Sequence, residues 1–239
     1  MKTDELPGRL DAVVSLVPEN ALTVADIGYD HGYALVLLAE RFPEAQLCGV
    51  EKIPDAARRF YSSVSTPELE RIELFNGDGF EPIVDRDLDA AILAGMGEAT
   101  VLTIASNHPA LSRRIRSLIV CTPQMPAIVR PAFAALGYGV REEHIAYDGR
   151  RFYEAIAFDR EVSPADDPIE LLFGPSLLTL PAAPTYLRAR KSQWSQLIAH
   201  HGSAVIPKES WPEADALNSG EYQRIKARAL DEALRRVQN

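Results

Sequence analysis

The stretch Val24-Ala25-Asp26-Ile27-Gly28-Tyr29-Asp30-His31-Gly32 decides the fold. Residues 22–27 form an apolar run closed by Gly28, the pattern of a buried strand. A helix is expected from about Gly32 to Arg41, stopped before Pro43. Glycines at 28 and 32 let the backbone bend sharply and come close to a ligand. A strand that runs through such a turn into a helix opens a βαβ unit.

Outward from that turn the alternation continues. Strands are expected at 45–50, 71–75, 88–94 and 117–121, with helices at about 54–64, 98–106 and 126–136. An earlier helix is marked by Leu6, Leu10, Val13, Val14 and Val17. Residues 138–147 and 151–159 are β-rich runs joined by Asp148-Gly149, a strong hairpin signal. Strands alternating with helices imply a parallel sheet covered on both faces, and the hairpin adds antiparallel strands. The fold class is therefore α/β: a doubly wound, mostly parallel, seven-stranded Rossmann-like sheet of the methyltransferase type, followed by a C-terminal antiparallel helical pair. The expected domains are residues 1–161, a proline-rich linker at 162–183, and a helical unit at 184–239.

In dinucleotide-binding proteins the first turn reads G-x-G-x-x-G and holds a pyrophosphate. Here Asp26 and Asp30 occupy the turn, and carboxylates repel pyrophosphate. They suit the ammonium and sulfonium of S-adenosylmethionine, with Asp26, Gly28 and Gly32 forming the cofactor turn. Glu51 closes the second strand, where an acid can accept two ribose hydroxyls at roughly 1.5–3 kcal/mol each. Lys52 follows it. Gly77, Asp78 and Gly79 follow the third strand, where an aspartate can meet the adenine amino group. Gly95, Met96 and Gly97 follow the fourth and line the place of methyl transfer.

These segments together resemble the TrmK family of bacterial tRNA adenine-N1 methyltransferases. The family's Ala-Asp-Ile-Gly-Ser-Asp-His-Ala/Gly-Tyr stands here as Ala25 to Tyr33, with Tyr29 in place of the serine. Its Gly-Asp-Gly is Gly77 to Gly79, and its Ala-Gly-Met-Gly-Gly is Ala94 to Glu98, ending in Glu rather than Gly. Tyr153-Glu154 and Phe173-Gly174-Pro175 also match, while the family's Gln-Pro-Asn is replaced by Thr122-Pro123-Gln124. The resemblance implies S-adenosyl-L-methionine as cofactor and tRNA as partner. It places Asp30, His31 and Tyr33 at the catalytic centre, with Asp30 stabilising the cationic product base. Tyr29 would stack on the acceptor adenine, and Thr122 and Gln124 would border it. Arg188, Lys191, Arg190 and the Arg224–Arg228 region would hold RNA phosphates.

Composition sets the remaining expectations. The net charge is −9, but residues 184–239 hold nine basic and six acidic side chains, leaving an acidic body and a basic tail. No apolar run reaches the roughly 20 residues that a membrane span needs, so no membrane partner is expected and the location is cytoplasmic. Cys48 and Cys121 lie in separate β-rich runs, and no ligand spacing suggests a metal. A monomer or weak dimer is expected. Competing readings are a cofactor-binding protein without transferase activity, a methyltransferase for a non-RNA acceptor, and, least, a nicotinamide-dependent oxidoreductase.

Overall fold

A computed structural model describes residues 6–63, 69, 71–122, 128–191 and 230–237. Its strands are β1 (Thr23–Ile27), β2 (Gln46–Glu51), β3 (Glu73–Asn76), β4 (Ala90–Ala94), β5 (Ser117–Thr122), β6 (Gly139–Tyr147) and β7 (Phe152–Asp159). They form one sheet in the order β3-β2-β1-β4-β5-β7-β6. The first five run parallel; β7 is antiparallel to β5 on one side and to β6 on the other. The order reverses between β1 and β4, which opens a crevice at the carboxyl ends of those strands.

Helices cover both faces: α1 (Arg9–Ser15), α2 (Tyr33–Arg41), α3 (Ala56–Ser63), α4 (Glu98–Asn107), α5 (Pro109–Ser112) and α6 (Val129–Ala135). Because side chains alternate along a strand, each strand supplies two cores. Val24 of β1, Ile119 of β5 and Ala155 of β7 join the core that holds Val13 of α1 and Leu35 of α2. Their neighbours Ala25, Val120 and Ile156 join the opposite core with Leu102 of α4 and Phe133 of α6. This double burial explains why the strands read as continuous apolar runs.

The stretch expected as a linker differs from that expectation. It contains α7 (Pro168–Phe173) and a 3-10 turn at Leu177–Thr179. Asp167 caps α7, its carboxylate accepting from the N–H groups of Ile169 and Glu170, and Pro168 fills the first helical position, where no N–H is needed. Phe173, Leu177, Tyr186 and Leu187 are buried in a third core with Ile145 of β6 and Leu230. Prolines here start a helix and shape turns rather than keep the chain extended. Of the expected helical pair, the described residues show helix at 183–191 and 230–236. The Arg224–Arg228 region lies outside the described residues.

A buried charge cluster ties this extension to the sheet. Arg130 of α6 donates to Glu143 of β6 through Nε at 2.9 Å and Nη2 at 2.6 Å. The same Nη2 reaches Glu154 of β7 at 2.6 Å, and Nη1 donates to the Leu172 carbonyl at 3.2 Å. Glu143 also accepts the N–H groups of Ser176 and Leu177, and Glu154 accepts the Tyr186 hydroxyl. Burial works against the Arg130 charge, but the two carboxylates outweigh it and raise its pKa. Burial raises the Glu143 pKa in turn.

Candidate active site

At the end of β1 the chain makes a left-handed turn. Gly28, Asp30 and Gly32 have φ of 77°, 49° and 73°. A Cβ at Gly32 would land on the Phe60 ring, so no larger residue fits there. The Gly28 N–H bonds the Val50 carbonyl at 2.7 Å, which locks the turn to β2. Glu51, only 7% exposed, holds it from below: Oε2 accepts the Asp30 N–H at 3.2 Å and Oε1 the Ile53 N–H at 3.0 Å. The Asn76 amide and the Gly77 N–H both bond the Glu51 carbonyl, bringing the β3 turn alongside.

Four loops thereby converge on one cavity of about 180 Å³. Gly28, Glu51, Lys52, Gly77, Asp78, Gly79, Gly95 and Met96 all line it. Eight of the eleven residues expected to bind cofactor are thus brought together. The Met96 methyl lies 3.1 Å from where a Gly28 Cβ would be, so the first and fourth loops face each other. Gly97 instead caps α4, and Gly32 packs on Phe60. Asp26 sits behind the turn, 4% exposed, and among the described residues no donor reaches its carboxylate. Burial, then the Glu51 charge, raises its pKa from 3.8 to about 7, with Arg9 pulling the other way. A second cavity of about 250 Å³, lined partly by Lys52, Asp78, Gly79, Thr100 and Ile104, borders the first.

Thr100 and Ile104 line the cavity too, and sequence reasoning missed them. They stand one helical turn apart on α4, a spacing that Gly97 as helix start would have disclosed. Arg9 of α1 was also missed. Its Nη1 lies 3.3 Å from the Cβ position of Gly95, and its guanidinium carbon is 5.6 Å from the centre of the Tyr153 ring.

The residues expected at the acceptor divide. Asp30 and His31 are exposed at the rim, 3.7 Å apart, and the His31 and Tyr33 rings lie 5.8 Å apart. Tyr33 is 65% exposed. Tyr29 corrects the expectation of a stacking surface. It is 5% exposed, packed edge-on against Phe60 and over Gly49, because the left-handed turn directs it into the core. Thr122 is fully buried at the end of β5 opposite Glu154, and Gln124 lies outside the described residues. Arg190 is 5% exposed, donates to the Phe152 carbonyl and lies over Tyr186, so it is not available to a phosphate. Arg188 is exposed. Lys191 pairs with Asp231 at 2.6 Å.

A glycine-rich turn after β1, an acid at the end of β2 and a crevice at the sheet's switch point define a nucleoside-binding α/β domain of the methyltransferase kind. The family described as "Methyltransferase domain" matches residues 6–156. The chain belongs to that family. No curated protein matches it in sequence. Among solved structures it is similar to the B. subtilis m1A22 tRNA methyltransferase TrmK, with 19% identity, TM-score 0.71, and 96% of this chain and 99% of that one covered. M. capricolum TrmK in complex with S-adenosyl-homocysteine has 16% identity and TM-score 0.72, over 97% and 99% of the two chains. S. pneumoniae Sp1610 in complex with S-adenosyl-L-methionine has 19% identity and TM-score 0.72, over 95% and 98%. Among the described residues, no cluster of three or more His, Cys, Asp or Glu could hold a metal, and no helix is long and apolar enough to cross a membrane.

Proposed function

We propose that this protein transfers a methyl group from S-adenosylmethionine to N1 of an adenine in tRNA. The observation that carries this reading is the convergence of the Gly28, Glu51, Asp78 and Met96 loops on one cavity, with the exposed Asp30 tied through its N–H to the cavity residue Glu51. The donor set fits the cofactor. Glu51, with both oxygens already held, would take the ribose hydroxyls and Asp78 the adenine amino group, while Asp26, buried behind the turn, would act on the positive methionine end through its field.

The cofactor supplies an electrophilic methyl group. Adenine N1 has a free lone pair at neutral pH, so no general base is required and catalysis rests on alignment. The methylated base gains a positive charge, which Asp30 stabilises. Tyr33 and His31, rather than the buried Tyr29, offer ring faces to an unpaired or flipped base. Burial of Tyr29 also removes one reason for a cofactor-binding protein without activity, because the serine replacement does not intrude on the acceptor side. Arg188 contributes to holding the RNA backbone.

The test is nucleoside mass spectrometry of undermodified tRNA after incubation with protein and labelled cofactor. Labelled 1-methyladenosine is expected, and Asp30→Ala should lower its formation by about 10²-fold. Cofactor binding without any methylated nucleoside would favour the inactive reading instead.

A further inference from the structure

The hairpin of β6 and β7 turns through Tyr147-Asp148-Gly149-Arg150-Arg151, two adjacent arginines in an otherwise acidic body. Hydrogen bonds fix the turn. Asp148 Oδ1 accepts the Arg150 and Arg151 N–H groups at 3.0 and 2.9 Å, and Oδ2 accepts the Tyr153 hydroxyl at 2.7 Å. Those bonds hold the Asp148 pKa down at about 2 and occupy both of its oxygens. Arg150 and Arg151 are exposed, and among the described residues no carboxylate pairs with either guanidinium. Nothing lies within 4 Å of a Cβ at Gly149, so the tip is open to solvent.

Topology sets this tip beside the candidate site. β7 runs antiparallel to β5 with Glu154 opposite Thr122, so the hairpin turns at the carboxyl end of the parallel strands, where the crevice opens. Only β5 separates β7 from β4, a gap of about 10 Å. Arg9 spans it: its guanidinium carbon is 5.6 Å from the centre of the Tyr153 ring, and its Nη1 is 3.3 Å from the Cβ position of Gly95, which lines the cavity. Arg9 and Arg151 both stand near enough to act on the Tyr153 hydroxyl. The C-terminal extension docks on the same hairpin, with Arg190 donating to the Phe152 carbonyl at 2.9 Å and the Phe152 and Tyr186 rings 5.8 Å apart. We propose that the hairpin tip grips the RNA backbone, Arg150 and Arg151 holding phosphates beside the acceptor nucleotide and Arg9 continuing the row of cations towards the cavity. This rests on the RNA reading above. An RNA strand offers anions in succession, and guanidiniums on a fixed turn meet them at little ordering cost. A small free anion would need cations converging on one enclosed point, whereas these are spread over an open tip.

The test is binding of an undermodified tRNA transcript to the full chain across a salt series. The double variant Arg150→Gln/Arg151→Gln should bind more weakly, and its slope of log affinity against log salt should be shallower by about 1.4–1.8, two phosphate contacts. Each single variant should lose about half of that. The control is Arg41→Gln/Arg113→Gln, which removes the same charge from exposed positions at the other ends of the strands, at the close of α2 and just before β5. Its slope should stay that of the wild type. Calorimetry with S-adenosylhomocysteine should give the hairpin variants an affinity within twofold of wild type. An unchanged slope in the hairpin variants overturns the inference and leaves the RNA reading standing. Equal losses in hairpin and control variants overturn it too, since net charge alone would then be at work. So does loss of S-adenosylhomocysteine binding in the hairpin variants, which would assign the two arginines to the fold or the cofactor. Capture of anionic phospholipid vesicles by the wild type and not by the double variant, with the tRNA slope unchanged, would assign the tip to a membrane surface instead. A wild type that binds no tRNA removes the RNA reading, and this inference with it.

Discussion

Asp26 shows what burying a carboxylate costs. Its pKa is 3.8 unfolded and about 7 folded, raised by burial and by Glu51. Between those values the folded chain holds a proton that the unfolded chain has released. The associated stability is complete below about pH 4 and is lost as pH rises through 7. The loss reaches about 4 kcal/mol at most by pH 8. Asp26→Asn should therefore raise apo-protein stability at pH 8 by about 1–4 kcal/mol, and the gain should shrink towards pH 4 in chemical denaturation. The same variant should lose cofactor affinity. In the wild type, lowering pH from 7.5 to 6 protonates Asp26 and should weaken cofactor binding by up to about tenfold, measured by calorimetry. Two glycines give a second comparison. Gly149 and Gly174 both have φ of +86°, but nothing lies within 4 Å of a Cβ at Gly149, whereas one at Gly174 would land on Glu143. Gly149→Ala should cost about 1 kcal/mol in a denaturant melt and Gly174→Ala about 3–5. At this scale the glycines and acids that come to line the cavity were legible in the sequence, because a turn after a strand needs specific residues. Tyr29 was not: within a loop no periodicity says which way a side chain points.

Among the elements, strands were easiest to read and the segment after β7 was hardest. The apolar runs of β1, β4 and β5 are buried on both faces, and Asp148-Gly149 closes the hairpin as its composition implies. The proline-rich segment was misread because α7 has six residues, too few for a helical period to register. Its apolar side chains look scattered until the chain folds back on β6. The Arg130-Glu143-Glu154 cluster was invisible for a related reason: its members are far apart in sequence and meet only through the tertiary fold. The Tyr-Glu and Phe-Gly-Pro motifs acquire a physical meaning there. Glu154 accepts Arg130, and Gly174 leaves room for Glu143. Replacing Arg130 by Met leaves two buried carboxylates facing each other. It should cost about 3–5 kcal/mol at pH 8 and less at pH 5, where a carboxyl can take up a proton, as urea melts at the two pH values would show.

For the whole molecule, the sequence divides into an acidic body and a basic tail, and under the proposed function the tail is where an RNA would be attracted. Truncating the chain at residue 184 would strip Tyr186 and Leu187 from the third core, so the tail is better tested by single substitutions. Arg188→Glu should weaken tRNA binding and reduce the slope of log affinity against log salt by about 0.7–0.9, one phosphate contact, while leaving cofactor affinity unchanged. If the slope does not change, Arg188 touches no phosphate. The fold class and most of the cavity lining followed from alternating strands and four punctuating loops; the exposed Asp30-His31-Tyr33 rim has no periodic signature to announce it. The placement of β7 between β5 and β6 also governs how the molecule comes off the ribosome. Every residue of β5 is buried in the finished sheet, yet its partner is the last strand to be synthesised. At about 5–20 residues per second the nascent chain carries a bare apolar edge for a few seconds, and β6, although made first, has no strand to join until β7 emerges. A ribosome stalled between the two would present that edge to any neighbouring strand, which makes this short interval the point in its synthesis at which the protein most needs a chaperone.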